Sequence, residues 1–214
     1  LRRLIRYHQS LAKERKNLKL QIGATLRELR QKPPANANPW TKAWLGWLEA
    51  SAQLSPNARH ITSRRLIRLA ALAREIRQTE RLLARQTADD PLVQKLMTLK
   101  GIGLVTAVTI RAEIGRFDRF RTGKQLARFC CLSPRNASSG QKQADAGLIK
   151  AGNQALRVTL IEAAHRLRRC DERWGRLAAQ LARRGKPTSV IIAAVANRWM
   201  RWLFHQVQPA SLAA

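Results

Sequence analysis

Residues 96–115 read LMTLKGIGLVTAVTIRAEIG, and whether their second half is strand or helix decides the fold class. Val105, Thr106, Val108, Thr109 and Ile110 are β-branched, which suits a pleated surface. The run is nevertheless embedded in a longer helical pattern, LVTAVTIRAEI, that closes on a helix-terminating glycine, Gly115. The only other β-rich run, SVIIAAV (189–195), likewise lies inside a longer helical pattern. Both are therefore read as helix, and the fold class is mostly α. Upstream, Asp89-Asp90-Pro91 supplies an N-cap and a first-turn proline for PLVQKLMTL. Downstream, TGKQLARFCCL, NQALRVTLIEAAHRLRR, DERWGRLAAQLARRG and TSVIIAAVANRWMRWLFHQV complete the helical set, with Asn153, Asp171 and Thr188 as caps and Gly185 as a terminator.

Between the first two of these helices, Leu96, Leu99, Gly101, Ile102, Gly103, Thr106, Ala107 and Ile110 form a pattern that resembles the helix-hairpin-helix module (about 91–114), which grips DNA without reading sequence. The glycines permit a tight turn at positive φ, and Ile102 plugs the turn into the core. Backbone N–H groups at the start of the next helix then face an anion, with Lys100 beside them. A plain helical corner needing two glycines gives the same local pattern. The expected DNA contacts are Lys100, Gly101, Ile102 and Gly103.

Residues 1–88 read differently. Leu4, Leu11 and Leu18 recur at spacing seven, with Leu1, Ile22 and Leu29 on an offset row, interrupted by His8 and Arg15. KPPANANP (32–39) stops that helix. Trp40, Trp44, Trp47 and Leu48 form one face of a short helix and read as core. After a loop near Ser55-Pro56-Asn57, a second long helix over about 62–86 carries Leu66, Ala73 and Glu80 on one row and Leu69, Ile76 and Leu83 on another. The expectation is an antiparallel coiled-coil arm over 1–88, pairing with itself or with a second subunit, and a helical domain over 89–214.

Charge narrows the partner. The 214 residues carry 41 Lys and Arg against 13 Asp and Glu, a formal +28, while hydrophobic residues make up 45%. That hydrophobic fraction is enough for a core, and the charge excess draws phosphate polymers by counterion release. No apolar run approaches the roughly 18 residues of a membrane span. Cys130, Cys131 and Cys170 lack metal-ligand spacing and a disulfide framework, as in a reducing cytosol. The chain opens at Leu1 inside a helical pattern, which suggests a piece of a longer protein.

The polar stretch between Ser133 and Asn153 contains Ser138-Ser139-Gly140. A nucleophilic serine needs exposure, a proton acceptor and positive charge where the oxyanion develops. The loop supplies exposure, and Arg135, Lys142 and Lys150 supply charge. No histidine lies near it in sequence, Asp145 is the nearby carboxylate, and His165 is on the next helix. Local chemistry alone reads SSG as a turn.

The ordered set of elements changes that reading. The Gly-Ile-Gly turn, Glu113-Ile114-Gly115, Phe117…Phe120 and Leu132-x-Pro134 come first. Ser138-Ser139-Gly140, Lys150-x-Gly152-Asn153, Leu156-Arg157 and Leu160-x-Glu162-Ala163-Ala164 follow. Together they resemble the C-terminal domain of the insertion sequence 110 (116/110/902) family of transposases over roughly 91–170. The resemblance implies a serine-type, RNA-guided DNA recombinase of a bacterial mobile element, cytoplasmic and nucleoid-associated. It implies that the serine before the glycine, Ser139, attacks a DNA phosphodiester, with Ser138 as runner-up. It further implies Arg135, Lys142, Lys150 and Arg157 as phosphate contacts, double-stranded DNA and a structured guide RNA as partners, and self-association through the arm. The family's N-terminal RNase-H-like domain binds divalent metal, Mg, through four acidic residues. No such set is readable in these 214 residues, so no metal or other cofactor is expected within them, and little or no strand transfer is expected from them alone, which reads the chain by itself as inactive. The family also tends to carry glycine where this chain has Cys131, so a cysteine is expected to be forced toward positive φ. The reading is thus site-specific recombination in DNA transposition. The alternatives are a non-catalytic helix-hairpin-helix DNA-binding module and an RNA-binding structural protein.

Overall fold

The computed structural model describes residues 1–50, 52–136, 145–149 and 151–207. Residues 104–114, the ambiguous run, form a helix. Element order among the described residues is α1 (Arg2–Glu28), α2 (Lys42–Ala50), α3 (Pro56–Gln86), α4 (Pro91–Met97), α5 (Leu104–Ile114) and α6 (Gly123–Phe129). Then come β1 (Pro134–Asn136), β2 (Asp145–Leu148), α7 (Gln154–Cys170), α8 (Glu172–Arg183) and α9 (Thr188–Val207). The protein is mostly α. None of these helices is long and apolar enough to cross a membrane.

The β-branched run became helix because it is buried on every side. Thr106 through Ile110, Ala112, Glu113 and Ile114 are all buried, so no alternation between a wet and a dry face is required. Thr109 Oγ1 donates to the Val105 carbonyl (2.7 Å), which satisfies a buried hydroxyl inside the helix. Helix α5 packs on α4 and α7, and α9 packs on α6, α7 and α8. The core gathers Ile110 and Ile114 from α5, Leu126 from α6, Leu156 and Leu160 from α7, and Val195 and Trp199 from α9. Trp199 lies within this core at 1% exposure, whereas Trp202 is half-buried.

The chain folds as two compact units, one of residues 1–6 and 82–214 and the other of residues 7–81. The first and last turns of the arm read from sequence (1–6 and 82–88) therefore belong to the larger unit. Within residues 7–81, α1 and α3 run antiparallel. Tyr7 meets Glu75, Glu14 meets Arg68 (3.2 Å), and Thr25 meets Arg65 (3.1 Å), so partner numbers fall as α1 numbers rise. Leu11 and Leu18 are buried against Leu72 and Ile76. His8 interrupts one apolar row and Glu80 occupies the other, and His8 Nε2 donates to Glu80 Oε1 at 3.0 Å. Trp44 and Leu48 are buried and Trp40 and Trp47 pack against them, so the aromatic stripe is core. The expected loop at 55–57 is instead the start of α3, with Pro56 as its first residue and the Ser55 hydroxyl accepting from the Ala58 N–H (3.3 Å).

Candidate nucleic-acid interface

Three local devices hold the two ends of the serine segment. At the N-terminal end, α6 stops in a pair of reverse-turn hydrogen bonds. The Cys131 N–H donates to the Arg128 carbonyl (2.9 Å) and the Leu132 N–H to the Ala127 carbonyl (3.0 Å). This is a Schellman motif, whose turning residue takes left-handed backbone and is usually glycine. Here the turning residue is Cys131, at φ 59°, as the departure from glycine predicted. Its buried thiol donates to the Ala151 carbonyl (2.9 Å), which ties residue 131 to the far end of the segment. Gly152 sits against that sulfur at φ 119°, and a Cβ there would overlap it.

The second device is the ribbon. β1 and β2 pair antiparallel, with Pro134 opposite Leu148 and Asn136 opposite Asp145. The stretch read as a polar loop therefore has strand-paired flanks. Ser138, Ser139 and Lys142 belong to the segment joining these strands and, with Lys150, lie outside the described residues. Arg135 is on β1 and exposed.

At the C-terminal end, Asn153 caps α7 as expected, its Oδ1 accepting from the Leu156 N–H (3.0 Å). The same side chain donates from Nδ2 to Glu113 Oε2 (2.6 Å). Glu113, 4% exposed, also accepts both arms of the Arg6 guanidinium, Nε at 2.8 Å and Nη2 at 2.9 Å. That forked ion pair holds the Arg6 guanidinium above its ordinary pKa, chiefly through the hydrogen bond to Glu113. A buried carboxylate in the last turn of α5 thus joins α1, α5 and the cap of α7. The sequence signal was Glu113 inside an apolar run, because a buried charge must have partners.

Between the ribbon foot, α7 and α9 lies a groove of about 820 Å³. Its cations are Lys124, Arg157, Arg198 and Arg201, and its wall is aliphatic: Leu148, Ile161, Val190, Ala193 and Ala194. Neither a carboxylate nor a histidine lines it among the described residues. Arg157 was anticipated from sequence and also reaches the Ile149 carbonyl (3.4 Å). Lys124, Arg198 and Arg201 were missed. The signal for the last two was their spacing of three on α9, opposite the buried pair Trp199 and Met200.

The Gly-Ile-Gly turn lies further along α7. Ile102 is buried and Gly101 has φ 78°, as expected, whereas Gly103 is extended at φ −98° and needs no positive φ. Gly101 is backed onto α7, where an added Cβ would come within 2.8 Å of Cys170 Sγ. Arg166 fastens the turn, Nε donating to the Gly101 carbonyl (3.1 Å) and Nη2 to Thr106 Oγ1 (3.0 Å). Lys100 and Gly103 are exposed, and α5 starts at Gly103 without a side-chain cap. Arg157, Ile161, Glu162, His165, Arg166 and Arg169 share a shallow depression of about 470 Å³ along one face of α7, with Glu162 its one carboxylate among the described residues. From Arg157 to Arg166 is nine residues, about 14 Å of helix. The groove and the turn are therefore two stations on one basic stripe.

The carboxylates nearby do not fit a divalent cation. Glu113 is held by Arg6 and Asn153, and Asp90 caps α4 through the Leu92 and Val93 N–H groups while pairing with Arg111 at 2.7 Å. Burial pushes the Asp90 carboxyl up, but Arg111 and the two N–H groups outweigh it and leave it below its ordinary range. Among the described residues there is no cluster of three or more His, Cys, Asp or Glu suited to a metal.

Residues 93–180 match the model of the Transposase IS116/IS110/IS902 family. The chain is 34% identical over 141 residues to a "Probable family 20 transposase" of Pseudomonas aeruginosa, covering 64% of the chain and 41% of that protein. It is 32% identical over 135 residues to the transposase for insertion sequence element IS1328 of Yersinia enterocolitica, covering 61% and 40%. It is 33% identical over 114 residues to the transposase for IS1111A of Coxiella burnetii, covering 51% and 31%. The match thus spans about two fifths or less of each relative's length.

Proposed function

We propose, for a chain whose residues 93–180 belong to the IS116/IS110/IS902 transposase family, that it binds DNA in insertion-sequence transposition and attacks it with Ser139. The observation that carries this reading is the mounting of the serine segment. β1 and β2 bring its two ends together at a groove whose charged residues are all cationic among the described residues. Phosphates of a bound strand would lie along Lys124, Arg198, Arg201 and the α7 stripe, with Arg135, Lys142 and Lys150 carried on or beside the serine segment. Lys100 and the α5 N-terminus, the helix-hairpin-helix element, hold a second stretch of backbone without reading bases.

In the attack, a bond forms between Ser139 Oγ and phosphorus as the bond from phosphorus to the departing deoxyribose oxygen breaks. The serine proton leaves with that oxygen. A diester is consumed and a diester is made, so religation needs no nucleotide cofactor. No metal step is assigned to these residues. A structured guide RNA is a second polyanion for the remaining positive charge, and self-association is assigned to the paired helices of residues 7–81, read as a coiled-coil arm.

The alternative is binding without chemistry, favoured by one observation: the groove offers no proton acceptor among the described residues. A nicked suicide DNA substrate separates the two. The expected result, with the family's acidic nuclease domain supplied in the same chain, is a labelled protein–DNA adduct on a denaturing gel, lost in Ser139→Ala and kept in Ser138→Ala. An adduct that survives Ser139→Ala refutes the assignment, and DNA binding with no adduct favours the binding module.

A further inference from the structure

We infer that the groove at the ribbon foot is a pocket for one unpaired DNA nucleotide, the base lying on its aliphatic wall and the flanking phosphates on its cationic rim. This rests on the proposed reading of the interface as a DNA site and adds the state of the strand that enters it. Two chemistries meet in the groove. Lys124, Arg198 and Arg201 are exposed cations suited to phosphate. Between them lies an aliphatic surface open to water, including Val190 at 47% exposure. A duplex presents phosphates and sugars outward and keeps its base faces stacked, so a duplex on the rim leaves that wall wet. A nucleotide out of the stack presents a flat apolar face and a phosphate together, and covering the wall with it removes apolar surface from water.

Capacity and polarity agree. A volume of about 820 Å³ falls within the range of about 300–1,000 Å³ typical of small-molecule pockets, and a single nucleotide is a ligand of that class. Asn197 lines the groove and donates from Nδ2 to the Leu132 carbonyl (3.0 Å), which fixes its amide and leaves Oδ1 as an acceptor for N–H groups on a base edge. No carboxylate opposes a phosphate there among the described residues. The wall is aliphatic, so base contact is tolerant of sequence. Strand exchange itself requires strands to leave the duplex beside the attacking group, and the groove adjoins the flanks of the segment that carries Ser139.

The test compares binding of the 214-residue chain to labelled DNA of one length: duplex, single strand, and single strand with abasic positions. The base-bearing single strand should bind about tenfold tighter than the abasic one, the effect of one base-sized apolar contact. Ala194→Trp, which fills the groove, should abolish that difference and weaken single-strand binding more than duplex binding. Val190→Glu, at an exposed position that tolerates a polar side chain, should weaken single-strand binding more than duplex binding, and it carries the test if Ala194→Trp loses helical circular dichroism. Equal binding of base-bearing and abasic strands overturns the pocket. So does a parallel loss of duplex and single-strand binding in a folded variant, which marks a backbone site. Tighter binding of single-stranded RNA than of DNA overturns the choice of nucleic acid. Failure of the wild-type chain to bind any DNA is a separate result and removes the DNA reading of the interface itself.

Discussion

Replacing Cys131 by glycine and by alanine separates backbone strain from sulfur packing at the foot of the serine segment. Cys131 is held at φ 59° by the two hydrogen bonds that end α6, a conformation costing a residue with a Cβ about 1–2 kcal/mol. Glycine removes that cost but gains unfolded-chain freedom worth about 0.4–1 kcal/mol, leaving a backbone advantage of about 0.5–1 kcal/mol. Both substitutions delete a buried sulfur and its hydrogen bond to the Ala151 carbonyl, together about 1–2 kcal/mol. Cys131→Gly should therefore be near neutral to about 1 kcal/mol destabilised, and Cys131→Ala should be lower by a further ~0.5–1 kcal/mol. Urea denaturation followed by circular dichroism reads both, with equal m-values required for the comparison. If alanine proves as stable as glycine, residue 131 is not held in left-handed backbone and the account of this helix end is wrong. Labelling the adjacent thiol is no substitute for this test, because burial pushes Cys130 well above its ordinary pKa and keeps it unreactive.

Glu113→Ala leaves the half-buried Asn153 amide without this acceptor and should cost about 2–3 kcal/mol, with a larger loss of Ser139-dependent adduct than of DNA binding. Arg6→Ala should cost less, because Arg2 Nε, 3.7 Å from Glu113 Oε2, and the Asn153 amide remain beside the carboxylate, and the reverse order in urea denaturation would show that Arg2 does not take over as its charged partner. The Asp90 carboxyl sits below its ordinary range, so its contribution is present at neutral pH and is lost as pH falls below about 4 and through the depressed folded value. Asp90→Asn should be less stable than wild type at pH 7, with the gap closing by pH 3 in thermal melts.

What the sequence disclosed was local, and what it withheld was assembled from distant positions. The caps at Asp90, Asn153 and Asp171 were legible because a short polar side chain and the N–H groups it satisfies lie within three residues. The start of α3 was misplaced because Ser55-Pro56 reads equally as a turn, and the contacts of the following turn decided it. Two of the polar breaks in the heptad rows, His8 and Glu80, looked like flaws on separate helices until antiparallel pairing made them partners. The groove was invisible for the same reason. Its cations come from positions 124, 157, 198 and 201, and nothing in a single helix shows that they converge.

The arrangement of these pieces bears on how a serine without a local base can be specific. Presenting a nucleophile requires that the ends of its segment be fixed to rigid elements, since a small misplacement of the attacking atom costs far more rate than it costs binding. In this chain one end is fixed by a helix stop whose turning residue is a cysteine tied across to Ala151. The other is fixed by a helix cap whose asparagine is tied to a buried glutamate. Neither Cys131 and Ala151 nor Asn153 and Glu113 line the groove. Substitutions in them should therefore alter adduct formation while leaving the salt dependence of binding unchanged, whereas substitutions of Arg198 or Arg201 should flatten that dependence by about one unit of slope per lost phosphate contact. A variant of Glu113 that flattened the salt dependence would show that the network acts on DNA directly, and the division between positioning and phosphate binding would fail.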